Sequence, residues 1–274
     1  MGAVSSIRTF GLMYMRNIRQ IPRIPVVLVF GIVMPVIQLS LFGNIFSALG
    51  DSPAFQATYP GVAYLSYIAP SIIMLTTFLG MANASAALLV DVRTGYFDKL
   101  RTTPAKAGQV IVARLLAEMT RVTAQALIIL GLALLLGAHV ESGFLGGVVM
   151  VLMSVTFSAC TVGLLVTALS MKTKSDQATQ SAFPLFFVLI FLSSAYVPKE
   201  QIKNDVIRTI IDFNPVDYLI QAVRELMVGV NNGGVMEASW PLDKIGLVLG
   251  ASAVAAVLFG LLNYRVYRTS IEGK

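Results

Sequence analysis

The residues with the most chemistry to offer stand together at 91–104, in the stretch DVRTGYFDKLRTTP. Gly95 permits a tight turn. Tyr96, Phe97 and Leu100 supply a small apolar ridge, Asp91, Arg93, Asp98, Lys99 and Arg101 rim it with charge, and Pro104 ends the element. An apolar centre with a polar rim is the anatomy of a protein docking patch. Set between two hydrophobic spans, such a loop transmits force or docks a partner; the competing reading is a solvated interfacial helix. Covalent chemistry finds no comparable cluster. The chain has no G-x-x-x-x-G-K-[ST] phosphate loop, G-x-G-x-x-G turn, H-E-x-x-H helix or G-x-S-x-G elbow. Energy for any work must therefore come from a gradient or from another subunit. Cys160 and His139 are the single cysteine and the single histidine, which excludes a Cys/His metal cluster and an intrachain disulfide. Cys160 reads as a small packing residue, and His139 as a solvated interfacial side chain.

The elements that position this loop are apolar. Of 274 residues, 56% are hydrophobic and 12% charged, and the mean hydropathy of +0.78 is that of an integral membrane protein. Charge-free runs cover Ile24–Gly50, Ser52–Val90, Val122–Val140, Ser142–Met171, Gln177–Pro198 and Ile245–Tyr264. Each is close to or beyond the roughly 20 residues a spanning helix needs. None alternates as a barrel strand does. The expected fold is all-α, with six spans at 24–47, 70–90, 111–136, 144–170, 177–196 and 244–264. Tyr59, Tyr64 and Tyr67, ahead of the second span, read as an interfacial aromatic belt.

Lysines and arginines orient the chain. Arg8, Arg16, Arg19 and Arg23 precede the first span; Arg93, Lys99, Arg101 and Lys106 follow the second; Lys172 and Lys174 follow the fourth; Arg265, Arg268 and Lys274 follow the sixth. The short loops at 48–60 and 137–143 carry none, so both termini and the 91–104 loop are expected on the cytoplasmic side. The net charge of +6 thus reflects topology and gives no reason to infer nucleic-acid binding. Residues 4–21 place Ile7, Phe10, Tyr14, Ile18 and Ile21 on one side and arginines on another, as in a helix lying on an anionic leaflet. In 199–229 two short amphipathic helices are expected on the outer side. The second, at 215–228, is capped by Asn214, started by Pro215 and ended by Gly229, and is able to re-enter the outer leaflet. Arg114 and Glu118 share a face at the start of the third span, while Arg121 is expected to snorkel toward the cytoplasm. Gly246 and Gly250, with Ala256 and Gly260 beyond, have the spacing of close helix packing.

Two stretches resemble one family. DVRTGYFDKLRTTP is similar to the Glu-x-x-x-Gly-Thr-x-Glu-x-Leu-x-x-Thr-Pro segment of type-2 ATP-binding-cassette (ABC) exporter permeases, of the drug-resistance branch that includes the daunorubicin exporter's membrane subunit. Gly95, Leu100, Thr103 and Pro104 match; Asp91 and Asp98 stand for glutamates and Tyr96 for threonine. SSAYVPKEQ followed by FNPVDYLIQAVREL resembles the family's outward segment, which ends in Asn-Pro-x-x-Tyr and a helical arginine. The resemblance implies a permease dimer, homo- or heteromeric, on two copies of an ABC ATPase subunit. Those subunits would bind the ATP and Mg; no cofactor is expected in this chain. It further implies 91–104 as a coupling helix, a multi-pass location in the cytoplasmic membrane, and outward movement of amphipathic, drug-like or lipid-like compounds. Gln38 and Asn44 in the first span, Met74, Phe78 and Asn83 in the second and Phe187 in the fifth offer a mixed aromatic, Met and amide lining for such a path, with ordinary packing as the competing reading. A self-contained secondary transporter or channel is the alternative. The absence of acidic residues deep in the spans argues against a proton or sodium relay.

Overall fold

The computed structural model describes residues 2–21, 25–93, 107–181, 183–267 and 269. A first helix, α1 (Gly2–Gln20), precedes α2 (Pro25–Ile45). Two short helices, α3 (Ser47–Gly50) and α4 (Pro53–Thr58), lead into α5 (Tyr64–Arg93). There follow α6 (Ala107–Leu135), then α7 (Gly143–Ser158) continued through a π-helical turn at Ala159–Gly163 into α8 (Leu164–Thr173). The C-terminal third holds α9 (Asp176–Gln180), α10 (Phe183–Phe191), α11 (Asp205–Phe213), α12 (Pro215–Val228) and α13 (Leu242–Tyr267).

Among the described residues, five helices are long and apolar enough to cross a membrane: Leu28–Ile45, Tyr64–Asn83, Gln109–Leu135, Gly143–Thr173 and Leu242–Val266. Within the expected fifth span, 177–196, the described residues hold α9 and α10, followed by turns. Pro184 explains where α10 starts, because a proline fits the first helical turn but not the interior.

The central element is α5. Of its Tyr64–Asn83 stretch 83% is buried, against 11% of the corresponding stretch of α2 and 17% of that of α13. It packs on α2, α6, α7, α8 and α12. Its 30 residues make a rod of about 45 Å, with Pro70 accommodated one and a half turns in. Close approach of the helices relies on glycines other than the expected pair. A Cβ on Gly80 would stand 2.7 Å from Val122, one on Gly43 2.9 Å from Leu65 and one on Gly31 2.5 Å from Gln125. Around Gly246, Gly250 and Gly260 a Cβ would meet open space, so close helix approach does not depend on these glycines among the described residues.

The segment between α10 and α13 folds onto the core. Val216, Leu219, Ile220, Val223, Leu226 and Met227 bury α12 in the core, as a re-entrant helix must. Its start is built from sequence: Asn214 Oδ1 accepts from the Val216 amide at 3.0 Å, and Pro215 takes the first helical position. Gly229 (φ +80°) ends it, where a Cβ would stand 2.2 Å from the Glu237 carbonyl. A hairpin not expected from sequence follows, β1 (Val230–Asn232) against β2 (Val235–Glu237), with Val230 opposite Glu237. Gly233 and Gly234, both at positive φ, form the two-residue turn that such a hairpin favours.

Candidate functional site

The docking stretch joins the inner ends of α5 and α6. Asp91 and Arg93 belong to the last turn of α5. Gly95, Tyr96, Phe97, Asp98, Lys99, Leu100, Arg101 and Pro104 lie outside the described residues. What the structure describes is the mounting. α5 and α6 pack along one another, and α1 lies across α6, with the Tyr14 hydroxyl and Thr120 Oγ1 at 2.9 Å.

A buried ionic network holds this inner end together. Arg114 Nη2 donates to Glu118 Oε1 at 3.1 Å and Arg121 Nε to Glu118 Oε2 at 2.7 Å. Residue exposures of 9%, 7% and 9% for Arg114, Glu118 and Arg121 leave little water to screen the pairs. Arg114 Nη1 also reaches Asn17 Oδ1 and Gln20 Oε1 of α1, at 3.4 and 3.3 Å. Arg121 does not snorkel. It donates to Gln125 Oε1 at 2.8 Å and to the Gly80 carbonyl of α5 at 3.1 Å, because those acceptors and Glu118 satisfy it where it stands. One α6 face thus ties α1 to α5.

At the opposite end of α5 a second arginine does the same. Arg224, on α12, is 3% exposed. Its Nη2 donates to the Ser194 carbonyl at 2.6 Å, Ser71 Oγ at 3.2 Å and the Ala195 carbonyl at 3.4 Å; Nη1 donates to Ser194 Oγ at 3.2 Å; and Nε to the Tyr67 carbonyl at 3.4 Å. The guanidinium carbon lies 3.9 Å from the centre of the Tyr67 ring, within cation–π range. The Tyr67 hydroxyl donates to the Ser194 carbonyl at 2.8 Å and that of Tyr64 to the Tyr196 carbonyl at 2.9 Å. Both rings are buried, so these tyrosines form a core cluster with Phe55 and Tyr59 and not an interfacial belt. Asp217 Oδ1 accepts the Ser194 amide at 2.7 Å, and Asn214 Nδ2 donates to the Leu189 and Leu192 carbonyls at 2.6 and 2.7 Å. The turns after α10, which leave backbone groups without helical partners, are thereby satisfied from α12. A polar cavity of about 340 Å³ adjoins Arg224, lined by Tyr59, Lys199, Gln221, Glu225 and Lys244 among others.

The candidate path residues separate into two groups. Met74 and Phe78 are buried, Phe78 packing on Phe157 and Phe186, so both belong to the protomer's own core. Gln38 is half-buried, while Asn44, Asn83 and Phe187 are exposed. Asn44 Nδ2 turns back onto the Ser40 carbonyl at 2.7 Å. Phe187, Phe191, Tyr196, Phe42 and Phe46 follow one another with ring centres 5.3–6.4 Å apart, a continuous aromatic strip joining α10 to α2. Sequence reasoning did not find the Arg224 hub. Its signal is that Asp217 and Arg224 stand two helical turns apart along one edge of the apolar face.

The profile of the ABC-2 type transporter family matches residues 8–228. The daunorubicin resistance ABC transporter permease protein DrrB1 of Streptomyces coeruleorubidus is 28% identical over 247 residues, covering 89% of this chain and 80% of that protein. The putative transport permease ycf38 of Pyropia yezoensis is 26% identical over 85% of this chain and 80% of its own length. That of Cyanophora paradoxa is 23% identical over 92% and 85%. With most of its length matched and five helices among the described residues long and apolar enough to cross a membrane, the chain belongs to the ABC-2 type transporter family, as a multi-pass membrane subunit of an ABC transporter.

Proposed function

We propose that this chain is the permease of an exporter, moving amphipathic or hydrophobic compounds outward across the cytoplasmic membrane on energy from a separate ATPase subunit. Two copies of that subunit bind ATP and Mg. The observation that carries the reading is a single helix, α5, which delivers the 91–104 loop at its inner end and is gripped by the re-entrant outer helix at its other end. Tyr96, Phe97 and Leu100 form the ridge that the ATPase subunit engages, with Asp91, Arg93, Gly95, Asp98, Lys99, Arg101 and Pro104 shaping its rim and turn. Both termini lie on the cytoplasmic side, as the lysine and arginine count requires.

The permease works as a dimer of like or sister chains. The aromatic strip from Phe187 to Phe46, with Gln38 and Asn44 on the same helix as Phe42, offers an outward-facing surface for a path between protomers. Adaptable rings suit substrates that are recognised by shape and apolarity more than by fixed hydrogen bonds. The Streptomyces relative, a daunorubicin resistance permease, supports a drug-like cargo.

The test is co-expression of the chain with its ATPase subunit in inside-out vesicles, with daunorubicin as the probe. Tyr96→Ala combined with Phe97→Ala is expected to abolish both uptake into the vesicles and the daunorubicin-dependent rise in ATP hydrolysis, while leaving the permease in the membrane. Intact uptake and intact stimulation in this variant would overturn the coupling assignment.

A further inference from the structure

An apolar groove of about 620 Å³ lies between α1 and α6, bounded by Phe10 and Tyr14 of α1 and by α6 from Leu116 to Leu127. The α6 wall is dented because Thr120, Thr123 and Ala124 are small side chains set between those two leucines. This wall belongs to a helix long and apolar enough to cross a membrane, so its occupant must suit hydrocarbon. Water does not. The hydroxyls of Tyr14 and Thr120 lie 2.9 Å apart, and Thr120 Oγ1 also donates to the Leu116 carbonyl. Few polar partners are left, where a held water needs roughly 2–4. An acyl chain fits the length: from Leu116 to Leu127 α6 rises about 16 Å, and one leaflet's share of the roughly 30 Å hydrocarbon core is about 15 Å. Charge selects the headgroup. Going round α1 at about 100° per residue, Gly11 stands about 60° beyond Tyr14, and Arg8 about 60° beyond Gly11. On the opposite side of Phe10, Met13 and Asn17 are buried. A lipid therefore leaves the groove past Gly11, where a Cβ would meet nothing within 4 Å. There it comes to Arg8, which is exposed and in no ion pair among the described residues.

We propose that this groove is a binding site for an anionic glycerophospholipid of the leaflet on which α1 lies, with one acyl chain along Leu116–Leu127 and the phosphate on Arg8. A basic interfacial helix draws acidic lipids to itself; the groove adds a fixed place for the chain of one of them. A second copy of this chain suits the face less well. Two-fold packing there would set two α1 helices together, each bearing arginines and no carboxylate to offset them. The site goes beyond the export reading and stands independently of any ATPase subunit.

The test uses the purified full chain in mild detergent, offered an equimolar mixture of phosphatidylglycerol and phosphatidylcholine with identical acyl chains. Native mass spectrometry reads the lipid retained. The parent chain is expected to hold phosphatidylglycerol in severalfold excess over phosphatidylcholine. Ala124→Phe plugs the groove from an exposed position; it should lose most of the retained lipid while its unfolding midpoint in lipid-free detergent stays unchanged. Arg8→Gln should keep a lipid and lose the preference for phosphatidylglycerol. Arg19→Gln, also exposed but about 16 Å farther along α1, should keep that preference, which separates a site from general attraction to a basic helix. Should Ala124→Phe fail to fold, Ala124→Leu makes a smaller plug and must lower retention severalfold. The proposal is overturned if the parent retains no lipid or retains both equally, or if the plugged variant holds as much as the parent. It is overturned too if Arg8→Gln keeps the preference, or if Arg19→Gln loses it as fully. A parent that is dimeric in detergent and becomes monomeric with Ala124→Phe would place a second copy in the groove, and would equally overturn it.

Discussion

Replacing Glu118 by glutamine tests how much the inner ionic network holds. The change removes the carboxylate shared by two buried arginines and keeps the side-chain shape. Two charge-assisted hydrogen bonds are lost, at about 1.5–3 kcal/mol each, and the glutamine oxygen returns one neutral bond of about 1 kcal/mol. The difference, about 2–5 kcal/mol, agrees with the roughly 3–5 kcal/mol for stripping one partner from a buried pair. Hydrogen bonds inside membrane proteins average nearer 0.6 kcal/mol, because the unfolded helices also find partners in the bilayer. Charged groups packed against α1 and α5 should exceed that average, since no single unfolded helix offers Arg121 both Glu118 and the Gly80 carbonyl. At roughly 2–4 °C per kcal/mol for a chain of this size, the unfolding midpoint in mild detergent at pH 7 is expected to fall by about 4–20 °C. Adding Arg114→Gln should recover part of the loss, with a coupling energy of about 1 kcal/mol or more. A midpoint shift below about 2 °C, or strictly additive effects, would refute the claim that the three side chains act as one unit.

The glycines give a contrast within one chain. Gly80→Ala drives a Cβ against Val122 at 2.7 Å and should cost about 1–3 kcal/mol as overpacking; Gly246→Ala meets open space and should stay within about 0.5 kcal/mol. The detergent unfolding midpoints of the two variants separate these outcomes. Asn214→Ala removes the cap of α12 and both bonds to the Leu189 and Leu192 carbonyls, for an expected loss of about 2–4 kcal/mol. Proteolysis from the outer side of sealed vesicles should then cut at 192–204 before any other segment; an unchanged pattern would contradict the role given to this residue.

Much of the architecture is legible in the sequence because bilayer solvation is a blunt constraint. Long charge-free runs must be helices, so α2, α6, α7 with α8, and α13 emerge at nearly the expected bounds. The α12 helix is legible for a sharper reason: Asn214, Pro215 and Gly229 each answer a specific backbone need at its ends. Within the fifth run, hydropathy cannot see the turn at Ser193–Ser194, nor that Asn214 and Arg224 satisfy the backbone groups it exposes. Tyr64 and Tyr67 mislead similarly, since a tyrosine near a span end suits an interface unless a buried acceptor awaits its hydroxyl, and those acceptors come from residues some 130 positions away. Arg121 reads as a snorkelling side chain until the fold brings the Gly80 carbonyl to it. The hairpin at 230–237 was within reach, because Asn-Asn-Gly-Gly between short β-prone segments is a turn signal in itself. The docking loop stands on the sequence and on its mounting between α5 and α6.

The central claim is that the 91–104 loop couples this permease to a separate ATPase. The most direct measurement is a mild-detergent pull-down of the tagged chain from its native membrane, with mass spectrometry and quantitation of what remains bound. A P-loop ATPase recovered in stoichiometric amount, and lost when Tyr96 and Phe97 are changed to alanine in a chain that still folds, is the predicted result. Recovery of an intact permease with no ATPase, or retention of the ATPase by the double variant, would contradict the account.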